Sequence, residues 1–377
     1  MNLRSALRLD SIIFAMAGLT LLTVIWSVKI IVIKGVPLYF LFSIFSIFFL
    51  ILTNKDEKYK IQINELYILF FMFWLMTSII IAPNIFSAVQ QYYYYIISFS
   101  LFFIIKRSVF SVSSWYKLSN YFLIGGLVVS VAMTLSWKLI FDNNRVDING
   151  INPNYLAYSL ITILPILYIK FRDGRINILF YSMLAIVSIA IFLTGSRGAL
   201  ISLFIYLFII GIKKPLLGIS IIILIIFFSS VIIGLYDSLP QYWQLRFDFN
   251  NATGSSIDWS SGRDDTWMFA WQLIKENYIF GIGLNNFGFV TSLSIGVHNA
   301  FLSLLVETGI IGFLLFFMIF VSILFTIYKV DKTIAVMIFL IELPILLTGI
   351  WESSPVLWCM LSLVVAYVKL VPKKSYS

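Results

Sequence analysis

Charge, histidine and cysteine are all in short supply in this chain. Only 11% of its 377 residues are charged, roughly half the share of a soluble domain. The single cysteine, Cys359, lies inside an apolar run, which excludes an internal disulfide. His298 is the only histidine. Metal-ligand spacing is also absent. Asp264 and Asp265 are neighbours rather than Asp-x-Asp, and successive helical residues do not face each other. No domain linker, internal repeat or low-complexity tract interrupts the sequence. The net charge of +9 is scattered between apolar runs, so it is not a nucleic-acid footprint.

Apolar sequence is abundant. The chain is 61% hydrophobic and 18% aromatic, with mean hydropathy +0.99. Its apolar runs recur from end to end, each long enough to cross about 30 Å of hydrocarbon. The expected fold is an all-α polytopic membrane protein of about 12 transmembrane helices. The spans fall near 10–28, 35–53, 64–82, 88–105, 116–138, 154–169, 176–193, 198–212, 215–236, 297–328, 333–350 and 355–369. Arg4 and Arg8 precede the first span like a signal sequence, but no small-residue cleavage site follows, so that span is expected to remain.

Basic residues set the orientation. With both termini cytoplasmic, most of the 26 lysines and arginines fall on that side, including Lys55, Lys106, Arg172, Lys213, Lys329 and Lys373. The chain then divides into nine N-terminal helices over 1–236, a large external loop at 237–296, and three C-terminal helices with a short tail over 297–377. Membrane lipids are the implied surroundings, and nucleic acid is not an expected partner.

The external loop concentrates the chain's polar chemistry. Ser261 and Asp264 form a capping-box pattern, so a helix should begin there, with Trp267, Trp271, Ile274 and Tyr278 on its apolar face. Arg263 then sits in the first turn, where free N–H groups and the helix dipole favour an anion. Its guanidinium can grip phosphate oxygens in a bidentate fork, or simply pair with Asp264 or Asp265. Arg197 lies in the tight turn Thr194-Gly195-Ser196-Arg197-Gly198 between two apolar runs. A charge there either snorkels to the interface or belongs to a site.

His298 opens an apolar run to Tyr328, about 46 Å as a helix, so its first turns should protrude outward. There it is either a hydrogen-bonded surface residue or a base for an attacking hydroxyl. Glu307 reads as a structural partner among helices, and Gly309 and Gly312 as sites of close helix packing. The Tyr92–Tyr95 run offers a stacking platform for sugars or an interfacial packing cluster; tyrosine's preference for the membrane boundary favours packing. Asn152-Pro153-Asn154 reads as a helix start capped by Asn152.

Taken together, these features resemble the O-antigen ligase family. The resemblance covers roughly Asn152 to Gly312. It rests on the Gly-Ser-Arg-Gly-Ala turn, the arginine opening a loop helix, and a late histidine pattern. That pattern is His followed by Asn, Ser or Gln, nine residues, Gly, two residues and a small residue. It is matched by His298-Asn299, Ala300 through Thr308, Gly309, Ile310-Ile311 and Gly312. The companion arginine pattern expects leucine four residues on, whereas this chain has Leu200 at three and Ile201 at four.

The resemblance implies a membrane glycosyltransferase of the C-like class, without cofactor or metal, at the periplasmic face of the bacterial inner membrane. Its donor would be an undecaprenyl-diphosphate-linked glycan and its acceptor a sugar hydroxyl of the lipid A core. Arg197 and Arg263 would bind the diphosphate, His298 would activate or orient the acceptor, and Asn299, Asn152 and Asn154 would support the site. The broader family includes polysaccharide polymerases, which use another lipid-linked repeat as acceptor. A lipid-glycan flippase or transporter is a third reading, disfavoured by the one-sided loop and the lack of repeats.

Overall fold

In the computed structural model the described residues are 3–26, 31–33, 36–53, 61–137, 146, 151–172, 178–213, 263–293 and 296–371. Their regular structure is helical apart from one short antiparallel ladder, β1 (Ile31–Ile33) with β2 (Val36–Pro37). The helices are α1 (Leu3–Thr23), α2 (Leu38–Thr53), α3 (Ile63–Ile80), α4 (Ile85–Ser108), α5 (Val112–Leu135), α6 (Pro153–Thr162), α7 (Leu164–Phe171), α8 (Ile178–Leu193) and α9 (Arg197–Lys213). They continue as α10 (Arg263–Glu276), α11 (Phe287–Thr291), α12 (Ala300–Tyr328), α13 (Lys332–Thr348) and α14 (Pro355–Leu370).

Helix covers each expected span except 215–236, which lies outside the described residues, as do 237–262 of the polar loop. Among the described residues, five stretches are long and apolar enough to cross a membrane: α3, α4, α5, α12, and α6 with α7 taken together. Pro165 explains why that pair is two helices. It has no N–H to donate and its ring crowds the preceding turn, so the chain breaks at Ile163.

The hydrophobic centre is α14. Every residue from Pro355 to Val368 is buried, as expected of a helix that is apolar all round. Trp358 packs edge-on against Phe99 of α4, with ring centroids 4.5 Å apart, and Phe316 of α12 and Phe102 complete the cluster. Trp115 Nε1 donates to Leu363 O at 2.9 Å, and Ser362 Oγ to Phe102 O at 2.7 Å. Cys359 is free and buried in this core.

The sequence suggested an unbroken rod from 297 to 328, and here the structure differs. Gly309 adopts φ 67°, ψ −175° inside α12, so the helix is interrupted about two and a half turns from its start. The carbonyls stranded by the break are all satisfied. Val306 O accepts from Ile282 N at 2.9 Å, Glu307 O from Gly283 N at 3.1 Å, and Thr308 O from Trp74 Nε1 at 2.8 Å. In return Ile310 N donates to Tyr278 O at 2.9 Å. Non-helical backbone at membrane depth persists only when its polar groups find such partners.

Gly309 is therefore more than a helix-packing glycine. A Cβ there would lie 2.0 Å from Ile279 O, so the turn after α10 could not dock. Gly312 fits the packing expectation, with Trp74 Cδ1 only 2.9 Å from where a Cβ would be. The same turn is stitched to the α3–α4 corner. Asn84 N donates to Asn286 Oδ1 at 2.7 Å, and Asn286 Nδ2 returns a bond to Asn84 O at 3.2 Å.

Candidate active site

Three backbone features meet at one end of the bundle. Arg197 opens α9, Arg263 opens α10, and His298 lies two residues ahead of α12. The starts of α6 and α14 share this end. Helix N-termini carry unpaired N–H groups and a partial positive charge, so the location favours an anion before any side chain is counted.

The turn before α9 is built by Gly195, at φ 60°. Thr194 Oγ1 donates to Ile191 O at 2.6 Å and accepts from Ser196 N at 3.1 Å, which locks the reversal that places Arg197. Gly198 lets α9 press against α13, because a Cβ there would sit 2.3 Å from Thr348 Oγ1. Tyr158 of α6 reaches the same Thr348 hydroxyl at 3.1 Å.

Arg263 is the first residue of α10, as expected; Ser261 and the Arg263 side chain lie outside what is described. The apolar face of α10 is rotated from the expected one. Ala270 and Ile274 are buried and Trp267 half-buried, while Trp271 and Tyr278 are exposed. Trp271 lies about 40° around the helix from Trp267, on the far side from Ala270, and Tyr278 falls beyond the helix end at Glu276. Small Ala270 lets α10 sit close on the first turns of α12, which a pattern of large apolar residues does not reveal.

His298 is not the first helical residue. It takes a left-handed conformation at φ 50°, and Asn299 is the cap of α12. The Asn299 side chain accepts from Phe301 N at 3.0 Å and Leu302 N at 3.1 Å. His298 is half-buried and makes further contacts with the rest of the chain. Asn152 likewise caps α6, accepting from Asn154 N at 2.9 Å. The described contacts of Asn299 and Asn152 are thus caps that shape the backbone.

Two links tie these features together. Trp267 Nε1, one turn along α10 from Arg263, donates to Val297 O at 2.9 Å and holds the peptide next to His298. On the other side, Gly296 packs on Ile350, where a Cβ would be 3.2 Å from Ile350 Cδ1. Ile350 closely follows Thr348, the residue against which Gly198 sits. The end of α13 therefore bridges the Arg197 turn and the His298 loop.

Sequence reading missed Glu352, in the turn between α13 and α14. Its Oε1 accepts from Tyr95 OH at 3.3 Å, and its Oε2 has no partner among the described residues. Burial pushes its pKa up to about 7. The Tyr92–Tyr95 run is divided: Tyr95 is buried edge-on against Phe71, whereas Tyr93, 4.9 Å from Phe40, and Tyr94 are exposed. Glu307 is buried, its Oε2 accepting from Asn285 N at 2.8 Å, which fits the structural role read from sequence.

Long apolar helices around a buried central helix, with helix starts and a strained histidine loop gathered at one end, define a polytopic helical membrane protein with a polar site at a bundle end. Residues 182–317 match the family model described as O-antigen ligase, and this stretch is an O-antigen ligase family domain. It contains Arg197, Arg263 and His298 together. Comparison with curated proteins gives no match.

Proposed function

We propose that the chain transfers a glycan from undecaprenyl diphosphate to a sugar hydroxyl of the lipid A core, at the periplasmic face of the inner membrane. The observation that carries this reading is the tethering of the Arg197 turn, the start of α10 and the His298 loop within the family-matched segment. Breaking the sugar–diphosphate bond develops negative charge on the leaving group. Arg197 and Arg263, each on a helix start, would stabilise that charge through guanidinium forks and backbone N–H groups. His298 would take the proton of the acceptor hydroxyl or orient it. The arginines would supply what a divalent ion supplies elsewhere, so transfer is expected to persist in excess EDTA. The site end would face the periplasm, with both termini on the cytoplasmic side and about twelve spans in all.

A polymerase differs only in the acceptor, another lipid-linked repeat, and the family domain is compatible with both. A lipopolysaccharide gel of a deletion strain separates them. Loss of a ligase leaves the core bare, whereas loss of a polymerase leaves core capped by a single repeat. An unchanged banding pattern would count against both.

A further inference from the structure

A cavity of about 300 Å³ opens beside the candidate site, at the small end of the range for ligand pockets. Its position ties it to the His298 loop. Ser303, one turn into α12, lines it, and so does Ile350, the residue on which Gly296 packs. None of its described lining residues is basic. One, Glu307, is acidic, with its carboxylate fixed by the Asn285 N–H. A diphosphate would meet no guanidinium or ammonium there to offset its charge.

The lining instead combines aromatic faces with neutral hydrogen-bonding groups. Tyr39, Tyr94 and Tyr155 supply the first, and Gln91, Ser303 and Ser354 the second. The Ser354 hydroxyl is the most telling. The residue is only 6% exposed, and its Oγ has no hydrogen-bond partner among the described residues. A buried hydroxyl left unpaired is costly unless a ligand or water completes it. Hydroxyls that can donate and accept, apolar C–H faces that lie on aromatic rings, and no net charge are the attributes of a neutral sugar ring.

We infer that this cavity is a carbohydrate subsite, holding a sugar ring next to the reacting bond while the arginines hold the diphosphate elsewhere. The inference rests on the glycan-transfer reading for the source of the sugar, which is the donor glycan or the acceptor core. Its test is a binding measurement that does not need transfer to occur.

The purified full chain in detergent is titrated with two lipid-free probes, the oligosaccharide released from the cell's lipid-linked repeat and the released core oligosaccharide. One of them should bind, and which one names the source. Ser303→Leu, which fills the cavity from α12, should abolish that binding. Ser354→Ala should weaken it about three- to tenfold, the worth of one neutral hydrogen bond. Ser354→Ala removes an unpaired group, so its thermal stability should not fall, and it remains informative if the leucine variant folds poorly. Inorganic diphosphate should not compete. Failure of both oligosaccharides to bind, unchanged affinity in Ser354→Ala, or competition by diphosphate would each overturn the assignment. A wild-type chain that binds oligosaccharide but transfers none would instead sink the transferase reading and leave the subsite standing.

Discussion

At one end of the bundle Lys106 pairs with Glu65 and Arg172 with Asp331, all four side chains being largely sheltered. Lys329 lies over the Phe325 ring at 4.3 Å, and Asp331 also caps α13 by accepting from Ile334 N at 3.0 Å. Two sheltered ion pairs thus lie at this end, and none of the described residues around them has a positive φ. At the other end every left-handed residue among those described is gathered, namely Gly195, Gly281, Gly283, Asn285, Ser292, His298 and Gly309. There α12 is broken and Glu352 is buried without a cationic partner among the described residues. Strained backbone survives only where its surroundings over-determine it, and it clusters where geometry must be held for chemistry. One end is built for stability and the other for positioning, so substitutions at the two should separate in what they affect.

The sharpest test of that contrast is His298. His298→Ala should lower transfer by about 10²–10⁴-fold, the usual worth of a positioned acid or base. Donor binding should hardly change, because the arginines would grip the diphosphate. His298→Gln distinguishes the roles: activity kept by Gln means that the histidine only orients the acceptor. If Ala is also fully active, this end of the bundle has no special chemistry.

Gly309→Ala should come next, as a loss of fold. It forces alanine into a left-handed conformation and against Ile279 O, costing about 3 kcal/mol or more. Thermal unfolding in detergent is the readout, and an unshifted melting point would mean that the break in α12 is not required.

Glu352 gives the contrast a pH signature. A pKa raised from 4.5 to about 7 means that the folded state binds a proton more tightly than the unfolded one. Its contribution is then fully present below pH 4.5 and lost as pH rises through 7, by up to about 3 kcal/mol. Melting points measured from pH 4.5 to 8 should fall with that profile, and Glu352→Gln should flatten it and stabilise the protein at pH 8. A wild-type profile already flat over this range would show that the carboxyl is not held protonated.

Smaller effects are expected from charge-preserving changes. Arg263→Lys and Arg197→Lys keep the charge but lose the planar fork, and each should cost roughly tenfold in turnover with insertion unaltered. Full activity in both would reduce their role to charge steering that salt screens. Smallest is Asp331→Asn at the opposite end, which keeps the cap but breaks the pair with Arg172. It should cost about 1 kcal/mol of stability and leave turnover unchanged. A drop in turnover there would erase the division between the two ends.

Much of this protein was legible in its sequence. Apolar run length located the helices because a chain in hydrocarbon must satisfy its backbone within each segment. Asn152-Pro153 marked a helix start because capping is a local matter, and the position of Arg263 in a first helical turn followed from the same local rules, while that of His298 followed from where an apolar run begins. Tertiary structure decided what depends on distant partners. That α12 breaks at Gly309 rests on Trp74 and on the N–H groups of Ile282 and Gly283, which come from other parts of the chain. The rotated face of α10 rests on how closely Ala270 lets it approach α12. The cavity exists because α2, α4, α6, α12 and the turn before α14 bring tyrosines, serines and one glutamate to the same place. Periodicity records which side of a helix is apolar, but not which neighbour it meets or what space is left between them.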